Sequence, residues 1–96
     1  MRAGEIASEA AKLVAGDRNR VHGPKNANFQ NIADLWNAFL GEKLCTGITS
    51  AEVGLMMVLS KVARTKTGEF NLDDYIDAAG YAACAGEIAA RRSSEV

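Results

Sequence analysis

Four side chains near one junction carry the most suggestive chemistry in the chain. Lys61 and Arg64 close an apolar stretch, and Asp74 and Asp77 open the next one. Paired cations can neutralise phosphate oxygens through charge-assisted hydrogen bonds. Two carboxylates at i, i+3 can hold a hard cation against phosphate oxygens, accept from a ribose hydroxyl, or pair with the two cations across a helical hairpin. The residues alone leave all three open. A second cluster lies in the polar stretch 17–27, DRNRVHGPKNA, with Arg18, Arg20, His22 and Lys25 around a Gly23-Pro24 break. It reads as a solvated loop or as a phosphate-binding one, since loops can present polar groups without burying their backbone. Asn28, Asn31 and Asp34 share a helix edge that can hydrogen-bond a base or ribose, or merely face water.

Other chemistries are poorly served. His22 is the single histidine, and Cys45 and Cys84 are the only cysteines, with no metal-ligand spacing between them. That argues against structural zinc, against a nucleophile-histidine catalytic site and for free thiols. No glycine-rich phosphate loop of the Walker type is present. Eleven Lys and Arg against twelve Asp and Glu give a formal net charge of -1, which disfavours general nucleic-acid binding. The N-terminal stretch is broken by Glu5, Glu9 and Lys12 and does not read as a secretion signal; no apolar run is long enough to span a membrane.

The elements that must position these residues are helical. Ile6, Ala10, Leu13 and Val14 define a first helix over about 3–15, stopped by Gly16. Phe29, Ile32, Ala33, Trp36, Phe39 and Leu40 define a second over about 28–40, capped by Asn26 or Asn28 and ended by Gly41, with Gln30, Asn31, Asp34 and Asn37 on its polar face. The third, over about 49–65, starts with a Thr49/Glu52 capping box and is apolar almost all round, so it must be covered on every side. Glycine 68 marks a turn, Asn71 caps the fourth helix, and that helix runs over about 72–91. On it Asp74, Asp77, Tyr81, Cys84 and Ile88 gather on one side, while Tyr75, Ala79, Ala82 and Gly86 form a small-residue side; Gly80 and Gly86 predict a close helix approach. Arg91 onward reads as a polar, frayed tail. The expectation is a single all-α domain of four helices over residues 1–96, short for an isolated bundle and so completed by homo-oligomerisation.

The order Arg18, His22-Gly23, Asn28-Phe29, Ile32-Ala33, Leu35-Trp36, Ile48-Thr49, Val53, Met56-Met57, Lys61, Ala63-Arg64, Asp74, Asp77 and Gly80-Tyr81 resembles a family of small phage-encoded helical proteins of unassigned function. That group is distantly similar to nucleotide-modification-associated domains and to MazG-like nucleotide pyrophosphohydrolases. The phage likeness spans roughly Arg18 to Glu87; the MazG-like likeness is confined to the last two helices. It implies an ExxE pair on one helix and an ExxD pair on the next, four carboxylates holding Mg²⁺ on a nucleotide's phosphates. Asp74 and Asp77 match the second pair. The first has no match, because Glu52 is followed by Leu55 and Met56 at the required spacings.

Three functions follow. The first is capture of a phosphorylated nucleotide without hydrolysis and without a cofactor, a host immune-signalling nucleotide being one such ligand in a phage. Its binding residues would be Arg18, Arg20, His22, Lys25, Asn28, Lys61, Arg64, Asp77 and Tyr81. The second is a reduced Mg²⁺-dependent pyrophosphohydrolase, with Asp74 and Asp77 as both metal ligands and catalytic residues. The third is an interaction module that inhibits a host factor through its first and last helices. The expected location is the cytoplasm of the infected bacterial host.

Overall fold

The computed structural model describes residues 1–16 and 25–94. Among them are four α-helices: α1 over Ala3–Ala15, α2 over Lys25–Leu40, α3 over Ser50–Arg64 and α4 over Leu72–Ser94, with a 3₁₀ turn at Gly41–Lys43. No described residue lies in a strand, so the all-α expectation holds. The long α4 is the spine. The α3 helix lies along it as the second arm of a hairpin, α1 packs on it separately, and α2 leans on α3.

Local chemistry sets most element ends. The Thr49 backbone N–H donates to Glu52 Oε1 at 2.9 Å, and the Glu52 N–H donates to Thr49 Oγ1 at 3.2 Å, which closes the capping box read from the sequence. The Asp73 N–H donates to Asn71 Oδ1 at 3.0 Å and so caps α4. At α1 the Arg2 backbone N–H donates to the Glu5 carboxylate at 3.1 Å. Gly41 and Gly68 hold positive φ, 50° and 74°, where a Cβ would be strained; they end α2 and shape the α3–α4 turn.

The buried centre joins Phe29 and Ala33 of α2, Val53 of α3, and Cys84 and Ile88 of α4, with Trp36, Ile48 and Tyr81 packed against it. Its tightest point is Gly54. A Cβ there would stand 2.8 Å from Ala85 Cβ and 3.0 Å from Phe29 Cε2, so only hydrogen fits between α3 and α4.

Several boundaries and faces differ from the sequence reading. The α2 helix includes Lys25, so Asn26 and Asn28 lie within it and neither is its cap. Cap preference is a weak prior, and here the first turn is tied to α4 by a Lys25–Glu87 ion pair at 3.1 Å. The α4 helix continues to Ser94, because Arg91 and Arg92 oppose its negative dipole end and Arg91 pairs with Glu87 at 3.8 Å. Gly80 is buried against Val14 of α1, whereas Gly86 has nothing near its would-be Cβ; the close approach falls at Gly54 instead. Asn37 does not simply face water. Its Nδ2 donates to Ile48 O at 2.9 Å and its Oδ1 accepts from Ile48 N–H at 2.7 Å, clamping the connection before α3. The outer face of α3 is open: Leu55, Leu59 and Val62 are exposed, so a single chain does not cover the helix on every side.

Candidate functional site

The α3–α4 hairpin brings the four junction residues together as two parallel ion pairs. Lys61 Nζ lies 3.3 Å from Asp77 Oδ2, and both side chains are half-buried. One turn further, Arg64 Nε lies 3.4 Å from Asp74 Oδ1. The pairing follows from antiparallel geometry. Moving three residues forward on α3 moves three residues back on α4, so 61 meets 77 and 64 meets 74.

The two rungs differ in exposure. The Asp74 side chain is 7% exposed, while that of Arg64 is 60% exposed. A buried carboxylate therefore anchors a guanidinium that stands largely in solvent. A planar fork held in this way is suited to a phosphate or carboxylate. Lys61, paired with Asp77 on the next rung, adds positive potential but presents little surface.

An exposed aromatic pair lies at the same end of the hairpin. Phe70, in the α3–α4 turn, is 77% exposed, and its ring centroid is 5.9 Å from that of Tyr75, the residue after Asp74. Two rings left open to water at the end of the hairpin that also carries Arg64 form a surface on which a flat heterocycle can stack. The sequence reading passed over both. Phe70 stood in an otherwise polar turn, which was the available signal, and Tyr75 was grouped with the small residues of α4.

The other expected site residues are dispersed or reassigned. Arg18, Arg20 and His22 lie outside the described residues. Lys25 reaches α4, where it pairs with Glu87, more than two turns from Asp77 along the helix. Asn28 is half-buried on α2. The Tyr81 ring packs 6.1 Å from that of Phe29 at the edge of the core. Glu52 is held in the cap of α3, and its carboxyl is kept below the ordinary value of 4.5, first by the Thr49 backbone N–H, then by the Thr49 hydroxyl, with a smaller pull from Arg92. It is at the opposite end of α3 from Lys61 and Arg64.

The four carboxylates of a MazG-like site are thus not assembled. Asp74 and Asp77 each face a cation of α3 where that arrangement needs two more acidic residues, and no cluster of three or more potential metal ligands occurs among the described residues. The residues present do not fit a phosphate-bound Mg²⁺ of that kind.

A helical hairpin with a cation-carboxylate ladder and a solvent-facing arginine defines a small all-α protein with a polar junction and, among the described residues, no cluster of metal ligands. Comparison with known proteins gives its family. Residues 5–89 match the model of DUF6378, a domain of unknown function, and the chain belongs to that family. It is 36% identical over 83 residues to the Gene 55 protein of Mycobacterium phage D29, covering 86% of this chain and 52% of that one. It is 34% identical over 77 residues to the Gene 55 protein of Mycobacterium phage L5, covering 80% and 47%. The chain spans about half the length of the curated relatives it matches. No solved structure matches. The expected likeness to phage proteins of unassigned function is therefore met, while neither the family's description nor the relatives' names carry the MazG-like one. Among the described residues, no helix is long and apolar enough to cross a membrane.

Proposed function

We infer that this chain captures a phosphorylated nucleotide at the open end of the α3–α4 hairpin and does not hydrolyse it. The observation that carries the reading is Arg64, paired with the buried Asp74 while its own side chain is 60% exposed, at the same end of the hairpin as the exposed Phe70 and Tyr75 rings. Phosphate would accept from the Arg64 fork, Lys61 would add charge from the next rung, and the base would stack on the aromatic pair. Holding is favoured over cutting because Asp74 and Asp77 are already engaged by cations and, among the described residues, no cluster of three or more potential metal ligands forms. Arg18, Arg20 and His22 of the polar stretch stay with this reading as further ligand contacts, whereas Lys25, paired with Glu87, and Asn28, half-buried on α2, do not. In a phage-encoded chain the ligand class includes the nucleotide signals of host immunity, with capture removing the signal as a sponge does.

The test is equilibrium binding to a panel of mononucleotides and of linear and cyclic oligonucleotides. A charge-assisted hydrogen bond is worth about 1.5–3 kcal/mol, so Arg64→Ala should weaken binding roughly 10-fold to 100-fold. Phe70→Ala should remove a stacking partner worth about 1–3 kcal/mol per base. Phe70→Ala should retain the wild-type helical signal, and because Arg64→Ala leaves the buried Asp74 without its cation, its binding is compared at a temperature where circular dichroism shows it folded. Pyrophosphate release with Mg²⁺ or Mn²⁺ would reject capture in favour of the hydrolase. Absence of binding across the panel would reject both.

A second reading, an interaction module acting on a host protein, is favoured by the uncovered small-residue face of α4, where Ala82, Ala83 and Gly86 are exposed. It predicts unchanged biological effect when Lys61→Ala and Arg64→Ala are combined.

A further inference from the structure

The outer face of α3 carries an ordered pattern. Glu52, Leu55, Leu59, Val62 and Lys66 recur at spacings of three, four, three and four residues. That is the seam of a two-stranded helical pairing, with apolar residues in its middle and one charge at each end. Seen down the helix axis, these positions lie opposite Val53, Gly54 and Met57, which face inward. The seam is open to solvent, Leu59 at its centre being 66% exposed. Lys66 lies in the turn that follows α3, where its N–H donates to Ala63 O at 3.2 Å, three residues back.

The molecule is also under-covered as a whole. It exposes 6732 Å². A compact monomer of 10.2 kDa would expose about 5,300 Å², so the excess is about 1,400 Å². A standard interface removes about 800 Å² from each partner. The surface that a second copy would cover is therefore available.

We propose that two copies of this chain pair through α3 in antiparallel fashion, about a two-fold axis at Leu59, with Glu52 of each copy against Lys66 of the other. In that register Leu59 meets Leu59, Met56 meets Val62, and Leu55 meets the small Ala63. Both ends of the seam then join opposite charges. A parallel pairing would instead set Glu52 against Glu52 and Lys66 against Lys66, so the end charges select the antiparallel form. The capping role of Glu52 is compatible with this, because its bond from Thr49 uses Oε1 and leaves Oε2 for the second copy. An isologous contact of this kind closes on itself and gives a dimer, not a fibre. It also puts Lys66, two residues beyond Arg64, at the border between the pairing seam and the polar junction.

The test is the mass of the full chain in solution, measured by light scattering after size exclusion at concentrations up to about 100 μM, a range in which a specific interface of standard area is assembled. The wild type should run as a dimer or a multiple of one. Leu59→Lys sets two like charges on the axis and should halve the mass with the helical signal intact, since the residue is exposed. Lys66→Glu should raise the dissociation constant at least tenfold, and adding Glu52→Lys to it should restore assembly. Orientation is read by cross-linking in a Cys45→Ser background. Glu52→Cys mixed with Lys66→Cys should form a mixed disulfide, while Glu52→Cys alone should not link to itself, its two copies lying about 21 Å apart at 1.5 Å per residue. A monomeric wild type, an unchanged mass for Leu59→Lys, or self-linking of Glu52→Cys would each overturn the proposal.

Discussion

Gly54→Ala is the sharpest probe of how the hairpin is packed. The added methyl would enter a gap bounded by Ala85 Cβ at 2.8 Å, Phe29 Cε2 at 3.0 Å and Tyr81 O at 3.3 Å. Ala85 and the Tyr81 carbonyl belong to α4 itself, so relief requires the two helices to move apart. Over-packing of this kind costs about 1–3 kcal/mol. Against it stands the helix-propensity gain of alanine over glycine, about 1 kcal/mol. The net loss is therefore up to about 2 kcal/mol. At roughly 4–8 °C per kcal/mol for a domain of this size, Tm should fall by up to about 8–16 °C. Urea unfolding followed by circular dichroism at fixed protein concentration provides the assay, with the slope m unchanged and the midpoint lowered. Gly86→Ala is the internal control. Nothing lies near its would-be Cβ, so it should gain the propensity term and unfold later by about 1 kcal/mol. If Gly54→Ala is stabilising, or if Gly86→Ala is the more harmful, the close contact is misassigned and the helix register with it.

Two further outcomes follow from polar contacts. Asn37→Ala removes both hydrogen bonds to Ile48 and leaves half-buried backbone groups unmet, so it should cost about 1–3 kcal/mol in the same urea assay, whereas Asn31→Ala on the exposed face should cost almost nothing. The Glu52 carboxyl is held below its ordinary value in the folded chain, so its contribution is fully present above pH 4.5 and fades as pH falls through the lowered value. Stability against pH should therefore drop less steeply in Glu52→Gln than in the wild type over the range just below 4.5, measured as the urea midpoint.

The fold was legible because its signals were local. Thr49 with Glu52 three residues on, Asn71 before two aspartates, and glycines at 41 and 68 each act within a turn of their own position, and each appears in the structure with that role. What was not legible depended on partners far along the chain. Asn37 looks like any polar residue on a solvated face until Ile48 comes round to it, eleven residues later. Gly54 and Gly86 are equivalent in sequence, and only the lean of α2 and α4 onto α3 distinguishes them. The junction was half legible. Antiparallel spacing made an Arg64 pairing with Asp74 or Asp77 foreseeable, but not which carboxylate it would take, nor that Lys61 would occupy the other. The aromatic pair was missed because Phe70 and Tyr75 follow no helical period, being joined by the turn between them.

Nucleotide capture without cleavage is the central claim, and the chemical state of the bound molecule tests it most directly. The protein purified from phage-infected cells should be denatured and the released small molecules identified by mass spectrometry, beside an Arg64→Ala preparation. The account predicts an intact phosphorylated nucleotide, stoichiometric with the wild type and strongly depleted from the variant. Recovery of a cleaved product, or of equal amounts of nucleotide from both preparations, would contradict it.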